Sequence, residues 1–281
     1  MKSSSLYGSG LGLRRDLMPQ LTEHLPNDID FMEVAPENWI NIGGSMGKQF
    51  KWFTDQKPFV FHGLSLSIGS PSPVDIELVK NIKQLMKQCN VDVYTEHLTY
   101  CSDDGHLYDL MPIPFTQEAI KYVSDRIKLV QDILERPIAM ENASYYAAPQ
   151  QEMSELEFLT AVLEEADCQL LLDVNNIYVN SINHGYDAKQ FLHALPGERI
   201  IYGHIAGHYD EADDLKVDTH GANVKEDVWE LLDAAYARFG VFPTLLERDF
   251  NFPPLDELLQ EVAKIKTIQS RYIESNSTVA G

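Results

Sequence analysis

With 281 residues, 44% of them hydrophobic, the chain is long enough to bury most of the surface its unfolded form exposes, and α/β barrels commonly run to this length as one domain. A formal net charge of −21, from 43 acidic and 22 basic residues without a Lys/Arg cluster, argues against a nucleic-acid partner. No apolar run is long enough to span a membrane, 1–8 lacks the features of a signal peptide, and Cys89, Cys101 and Cys168 form no Cys-x-x-Cys pair, so a reduced cytoplasmic protein without a membrane partner is expected.

In chain order, the first apolar run, 7–13, reads as a strand with small inward residues. Its Gly8-Ser9-Gly10-Leu11-Gly12 stretch resembles a phosphate loop only superficially, because the Lys-Ser/Thr ending and the third-glycine spacing are missing. Helical spacing over 16–25 precedes a strand at 30–35, and a helix at 39–53 precedes a strand at 59–62. A helix at 74–89 leads to a strand at 91–96, and a helix at 116–134, opened by Thr116 with Glu118 in its first turn, leads to a strand at 138–141. Ser154 and Glu157 stand at capping-box spacing at the head of a helix over 154–165, followed by a strand at 170–174. The remaining units are helix 187–195, strand 200–205, helix 224–239, strand 243–247 and helix 255–268, the last preceded by Pro254.

The strands are short apolar runs, as expected where both faces are covered, and they alternate with helices without a linker, a repeat or a switch in order. That pattern predicts an α/β fold, a (β/α)₈ TIM barrel in a single domain over 1–281, with a core of about 6–270 and a flexible tail at 271–281.

Ligand-capable side chains fall at the ends of these strands: Glu33, His62, Glu96 with His97, Glu141 with Asn142, Asp173, His204 and Glu247. In a TIM barrel such positions converge on the mouth where active sites are built. Imidazoles and carboxylates sharing one cavity would take up protons or repel, whereas divalent cations let the carboxylates stay ionised, and the mixed shell suits zinc, iron or manganese better than calcium or magnesium. We read His62, His97, Glu141, Asp173, His204 and Glu247 as metal ligands, with Glu141, Asp173, His204 and Glu247 also catalytic. Asp218 and His220, two apart in an extended segment, form a further chelating pair, and Asn176 is placed to lend an amide oxygen. Glu33, Glu96, Asn142, His208 and Arg248 are read as outer residues beside the ligands, and Glu33, Glu37 and Glu96 alike either orient a metal-bound His or are salt-bridged barrel residues.

The strings Gly10-Leu11-Gly12-Leu13-Arg14, Phe61-His62-Gly63-Leu64-Ser65-Leu66-Ser67, Glu96-His97-Leu98, Met140-Glu141-Asn142, Leu172-Asp173-Val174-Asn175-Asn176, Gly203-His204-Ile205-Ala206-Gly207-His208, Asp218-Thr219-His220-Gly221 and Leu246-Glu247-Arg248-Asp249 resemble the multinuclear non-heme iron-dependent oxidases. These are the methanobactin, bufferin and oxazolin type of peptide-maturation enzymes, within the xylose-isomerase-like barrel superfamily. The resemblance implies two or three iron ions as Fe2+ and Fe3+, with zinc or manganese able to replace them in purified protein. His62, His97 and Glu141 would hold one ion, Glu141 would bridge to a second held by Asp173, His204 and Glu247, and Asp218, His220 and Asn176 would hold a third. It further implies oxidation of cysteines in a ribosomally made, copper-binding type of precursor peptide by molecular oxygen, with a partner protein recruiting the peptide. Asn176 stands where the endonuclease IV pattern has a histidine. Rival readings on the same ligands are a di- or trinuclear phosphodiesterase, a sugar isomerase, and a catalytically idle metal-binding scaffold.

Overall fold

The structure, a computed structural model, describes residues 6–103 and 105–279. Residues 1–5, on which part of the N-terminal reading falls, and the end of the expected tail at 280–281 lie outside the described residues.

The chain runs through β1 (Ser9–Gly12), α1 (Met18–Glu23), β2 (Phe31–Val34), α2 (Gly44–Gln56), β3 (Phe59–Gly63), α3 (Ile76–Cys89), β4 (Val93–His97) and a hairpin of β5 (Thr99–Ser102) and β6 (His106–Pro112). Then come α4 (Gln117–Leu134), β7 (Ala139–Glu141), α5 (Glu155–Ala166), β8 (Gln169–Asp173), α6 (Val174–His184), α7 (Ala188–Ala194) and β9 (Ile200–Ala206). A second hairpin of β10 (Tyr209–Ala212) and β11 (Leu215–Val217), α8 (Glu226–Phe239), β12 (Thr244–Glu247) and α9 (Leu255–Val279) complete it. Eight strands close into a barrel in the order β1-β12-β9-β8-β7-β4-β3-β2, as the strand and helix rhythm predicts. Two compact units divide the chain, 1–33 with 172–281 and 34–171, and the dividing points fall inside β2 and β8 rather than in linkers.

In the first unit β1 pairs in parallel with both β2 and β12, so the chain's first strand meets its last. Gly10 lies opposite Phe31 and Leu245, and the Phe31 ring fills the space a side chain at Gly10 would need, 2.6 Å from where its Cβ would stand. Asp173 ends β8 and caps α6, its carboxylate accepting from the Asn176 backbone N–H at 2.6 Å. That helix was not expected, the next predicted helix after the strand at 170–174 being 187–195. Helix α9 is longer than the expected 255–268, continuing as far as Val279. No Gly or Pro interrupts it, and Gln269 ties it down, donating to the Gly8 and Phe242 carbonyls and to the Tyr236 hydroxyl.

In the second unit β3 pairs with β4, β4 with β7 and β7 with β8, with α3, α4 and α5 amphipathic and their apolar faces buried. Asp75 and Thr116 cap α3 and α4, and Ser154 with Glu157 forms the expected capping box. Helix α2 begins five residues later than its predicted start of 39, since a 3₁₀ turn at Pro36–Asn38 and the pair Gly43 and Gly44, the latter at φ +63°, delay it. Neither hairpin was expected: β10 is exposed, and its alternation of polar and apolar residues is too short to stand out from loop.

Gly10→Ala places a methyl inside the Phe31 ring, an overpacking that costs about 1–3 kcal/mol. The thermal midpoint is expected to fall by several degrees, checked by calorimetry beside Gly105→Ala, where nothing lies within 4 Å of the new Cβ.

Candidate metal centre

Strand register explains the cluster in the second unit. His62 stands opposite Thr95, and His97 opposite Glu141, so period-2 alternation puts Thr95 and His97 on one face of β4 beside both neighbours. His97 Nδ1 donates to the Gly63 carbonyl at 3.0 Å. A carbonyl only accepts, so in the neutral ring Nε2 carries the lone pair. That atom lies 3.1 Å from His62 Nε2, and each is 3.2 Å from Glu141 Oε2. On its other side His62 Nδ1 meets the Thr95 hydroxyl at 2.7 Å. Ligands about 2.0–2.2 Å from a tetrahedral ion stand roughly 3.3–3.5 Å apart, so this triangle has the size a divalent cation requires. Buried acceptors this close would repel one another without a proton or a cation among them. Thr95 was missed by sequence reading; its signal was its place two residues before His97 in a strand.

In the first unit, Glu33 Oε2 accepts from the Tyr202 hydroxyl at 2.6 Å and from His204 Nε2 at 2.9 Å, all three side chains being buried. His204 therefore turns Nδ1 toward Glu247 Oε2 at 3.1 Å and Asp173 Oδ2 at 3.9 Å. Because Asp173 spends Oδ1 on the α6 cap, Oδ2 is the oxygen it presents. His220 brings Nε2 to 2.6 Å from Asp218 Oδ1, and its Nδ1 lies 3.3 Å from Glu247 Oε2 and 3.2 Å from Asp249 Oδ2. Asp173, His204 and Glu247, and likewise His220, Glu247 and Asp249, thus offer ligand atoms within 4.8 Å of one another. Asp249 was named in a motif but not as a ligand; standing two residues past Glu247, it continues the alternation beyond the strand end.

Charge governs this second cluster. Burial pulls the His220 imidazole down, but Asp218 and Glu247 outweigh it and hold the ring well above its ordinary range. Burial likewise pushes the Glu247 carboxyl up, and His220 and His204 reverse that and hold it well below. Arg14, beyond β1, closes the arrangement with 2.7 Å to Asp249 Oδ1 and 3.3 Å to Glu247 Oε1. His220 sits at φ +50°, a left-handed conformation that costs a side-chain-bearing residue about 1–3 kcal/mol. Strain of this kind is found where the surrounding structure fixes a functional side chain.

The outer candidates have separate places. Glu33 bears on His204 as described. Glu96 lies over Gly63, accepting from Tyr94 Oη at 2.9 Å and from the Leu66 and His97 backbone N–H groups at 3.1 and 3.2 Å, while Glu37 accepts from Leu64 and Ser65. Those two carboxylates hold the loop after β3. Asn142 is buried and lines a small cavity with Leu98, Thr99 and Tyr145. Arg248 bonds Asn223 at 2.9 Å and Glu261 at 3.3 Å. His208 bonds Asn175 at 2.8 Å, and Asn176 occupies the first turn of α6 with its side chain buried.

A closed barrel of eight parallel strands alternating with helices, with imidazole and carboxylate clusters at its strand ends, defines the TIM-barrel class. Solved structures agree in fold: the IOLI protein with a binding zinc atom has a TM-score of 0.60 at 15% identity over 95% of this chain and 99% of its own. Endonuclease IV from Thermus thermophilus has a TM-score of 0.60 at 13% identity over 96% and 100%. Within that class, residues 8–270 match the family of the RiPP precursor modification enzymes MbnB/TglH/ChrH, and the chain belongs to it. Its relatives include the UPF0276 protein of Shewanella sediminis, 62% identical over 92% of this chain and 94% of the relative. The UPF0276 protein PA3283 of Pseudomonas aeruginosa is 52% identical over 96% and 95%. The protein is thus a member of a peptide-modifying enzyme family, and among the described residues no helix is long and apolar enough to cross a membrane.

Burial, reinforced by Glu37, pushes the Glu96 carboxyl up to about 8. The folded protein therefore holds a proton there that the unfolded chain releases near its ordinary value, and this contribution is full below the unfolded value and is lost as pH rises through about 8. Metal-free wild type is expected to lose thermal stability between pH 5 and pH 8.5 more steeply than Glu96→Gln, measured by calorimetry in chelator. Parallel slopes would refute the assignment.

Proposed function

We propose that the protein is an iron-dependent oxidase that uses molecular oxygen to modify cysteine residues in a ribosomally made precursor peptide, in the cytoplasm and with a recruiting partner protein. What supports this reading is the direction of the imidazoles: His97 and His204 each carry a proton on the nitrogen facing Gly63 or Glu33, and turn the other toward carboxylates. Two nitrogen-rich, carboxylate-bearing clusters of that kind suit iron, and the family acts on precursor peptides.

In this reading His62, His97 and Glu141 hold one ion, Asp173, His204 and Glu247 a second, and Asp218 and His220 a third with Asn176. Bound iron would supply the redox equivalents for reaction of the peptide's cysteine with oxygen. The chain's own residues do the rest. Glu33 and Tyr202 hold the His204 proton at Nε2, Thr95 and Gly63 fix the two imidazoles of the other cluster, and Arg14 balances the charge of Glu247 and Asp249.

Protein purified without oxygen is expected to hold iron by mass spectrometry and to consume oxygen with a cysteine-bearing precursor peptide, but not with its Cys→Ser form. Zinc-only protein that cleaves phosphodiesters and takes up no oxygen would overturn the reading. Glu141→Ala should remove more iron than His220→Ala, because Glu141 is the carboxylate facing both His62 and His97, whereas Asp218, Glu247 and Asp249 all surround His220. Equal iron content in the two variants would contradict that ranking.

A further inference from the structure

Behind Asp218 lies a buried chain of hydrogen bonds that links it through Asn175 to His208. The Asn175 side chain, fully buried in the first turn of α6, donates from Nδ2 to Asp218 Oδ1 at 2.8 Å. An ionised carboxylate only accepts, so the amide must point its nitrogen at Asp218 and its oxygen the other way. That oxygen faces His208 Nδ1 at 2.8 Å, which must therefore be protonated. His208 is buried, with the Tyr178 ring stacked at 5.2 Å and 29°, so it cannot turn away. Its Nε2 stands 3.5 Å from Asp210 Oδ1 without a hydrogen bond, as the neutral Nδ1–H ring requires. Asp210 has its own partners in Lys216 and Lys225.

We propose that Asn175 and His208 are positioning residues for the metal site at Asp218 and His220, the His208 Nδ1–H fixing the Asn175 amide so that its N–H points at the Asp218 carboxylate. The proposal rests on the reading that Asp218 and His220 hold an ion. If Nδ1 lost its proton, the amide would have to flip and set its oxygen against the carboxylate. Two acceptors would then face each other, and Asp218 would lose the bond that orients it. The hairpin of β10 and β11 joins His208 to Asp218 along the chain, and Asn183 fastens it to α6 through both the N–H and the carbonyl of Lys216.

The test is ferrous-iron binding without oxygen, by competition with a graded chelator, in wild type, Asp218→Ala, Asn175→Asp, His208→Leu and His208→Gln. Asn175→Asp and His208→Leu are expected to weaken one ion by about tenfold or more, as loss of a ligand's support does elsewhere. His208→Gln, whose amide N–H can replace the lost donor, is expected to restore binding to within about threefold, since only the donated bond and not the ring is required. In the metal-free wild type, nitrogen-15 spectra of the His208 ring should show the proton on Nδ1. Equal weakening by His208→Leu and His208→Gln, or a proton on Nε2, overturns the proposal. Iron binding unchanged in Asp218→Ala overturns the reading beneath it, whereas loss in Asp218→Ala alone overturns only the roles of Asn175 and His208.

Discussion

An imidazole has two nitrogens, and His97 and His204 each turn a protonated one away from Glu141 and Glu247, spending that proton elsewhere. His97 gives it to the Gly63 carbonyl and His204 to Glu33. A neutral ring with one nitrogen committed in this way has one direction left for its lone pair, and the geometry around Glu141 and Glu247 follows from it. Strand register supplies the rest. Had β4 paired one residue out of step, Thr95 and His97 would have turned to the other face, leaving Tyr94 and Glu96 in their place.

The carboxylates obey a second constraint: each oxygen has its own task. Asp173 caps α6 with one and faces His204 with the other; Glu247 faces Arg14 with one and both His204 and His220 with the other. Dividing the oxygens keeps buried negative charge compensated from two directions, which lets Glu247 stay ionised against the cost of burial. Glu96 shows the opposite outcome within the same fold. Its neighbours are backbone N–H groups, a phenol and another carboxylate, and its proton is retained to about pH 8.

Much of this was legible beforehand because it depends on period and position. Short apolar runs, seven of the eight with His, Glu or Asp near their ends, marked the barrel strands and most of the ligand-capable residues, and capping chemistry at Thr116 and Ser154 marked helix starts to within a residue. What escaped depends on three-dimensional neighbours. Thr95 is an ordinary strand residue until its register with His62 is known, and Asn175 has no evident role until Asp173 is seen to cap α6. Glu96 illustrates the reverse: its adjacency to His97 suggested support for the ligand side chain, but alternation sends it over Gly63 instead. The long α9 escaped because its ordering comes from Gln269 reaching Gly8, a contact 261 residues away in sequence.

The pairing of β1 with β12 also sets a timetable for biosynthesis. Ser9 finds its partner in Thr244, and Gly8 waits for Gln269, each more than two hundred residues further along the chain. Until most of the chain has been released, the edges of β1 stay incompletely paired, and Arg14 has neither Glu247 nor Asp249 to neutralise. The ligand cluster around Glu247 is therefore a late product of folding. An ion held there would depend on segments more than two hundred residues apart having met.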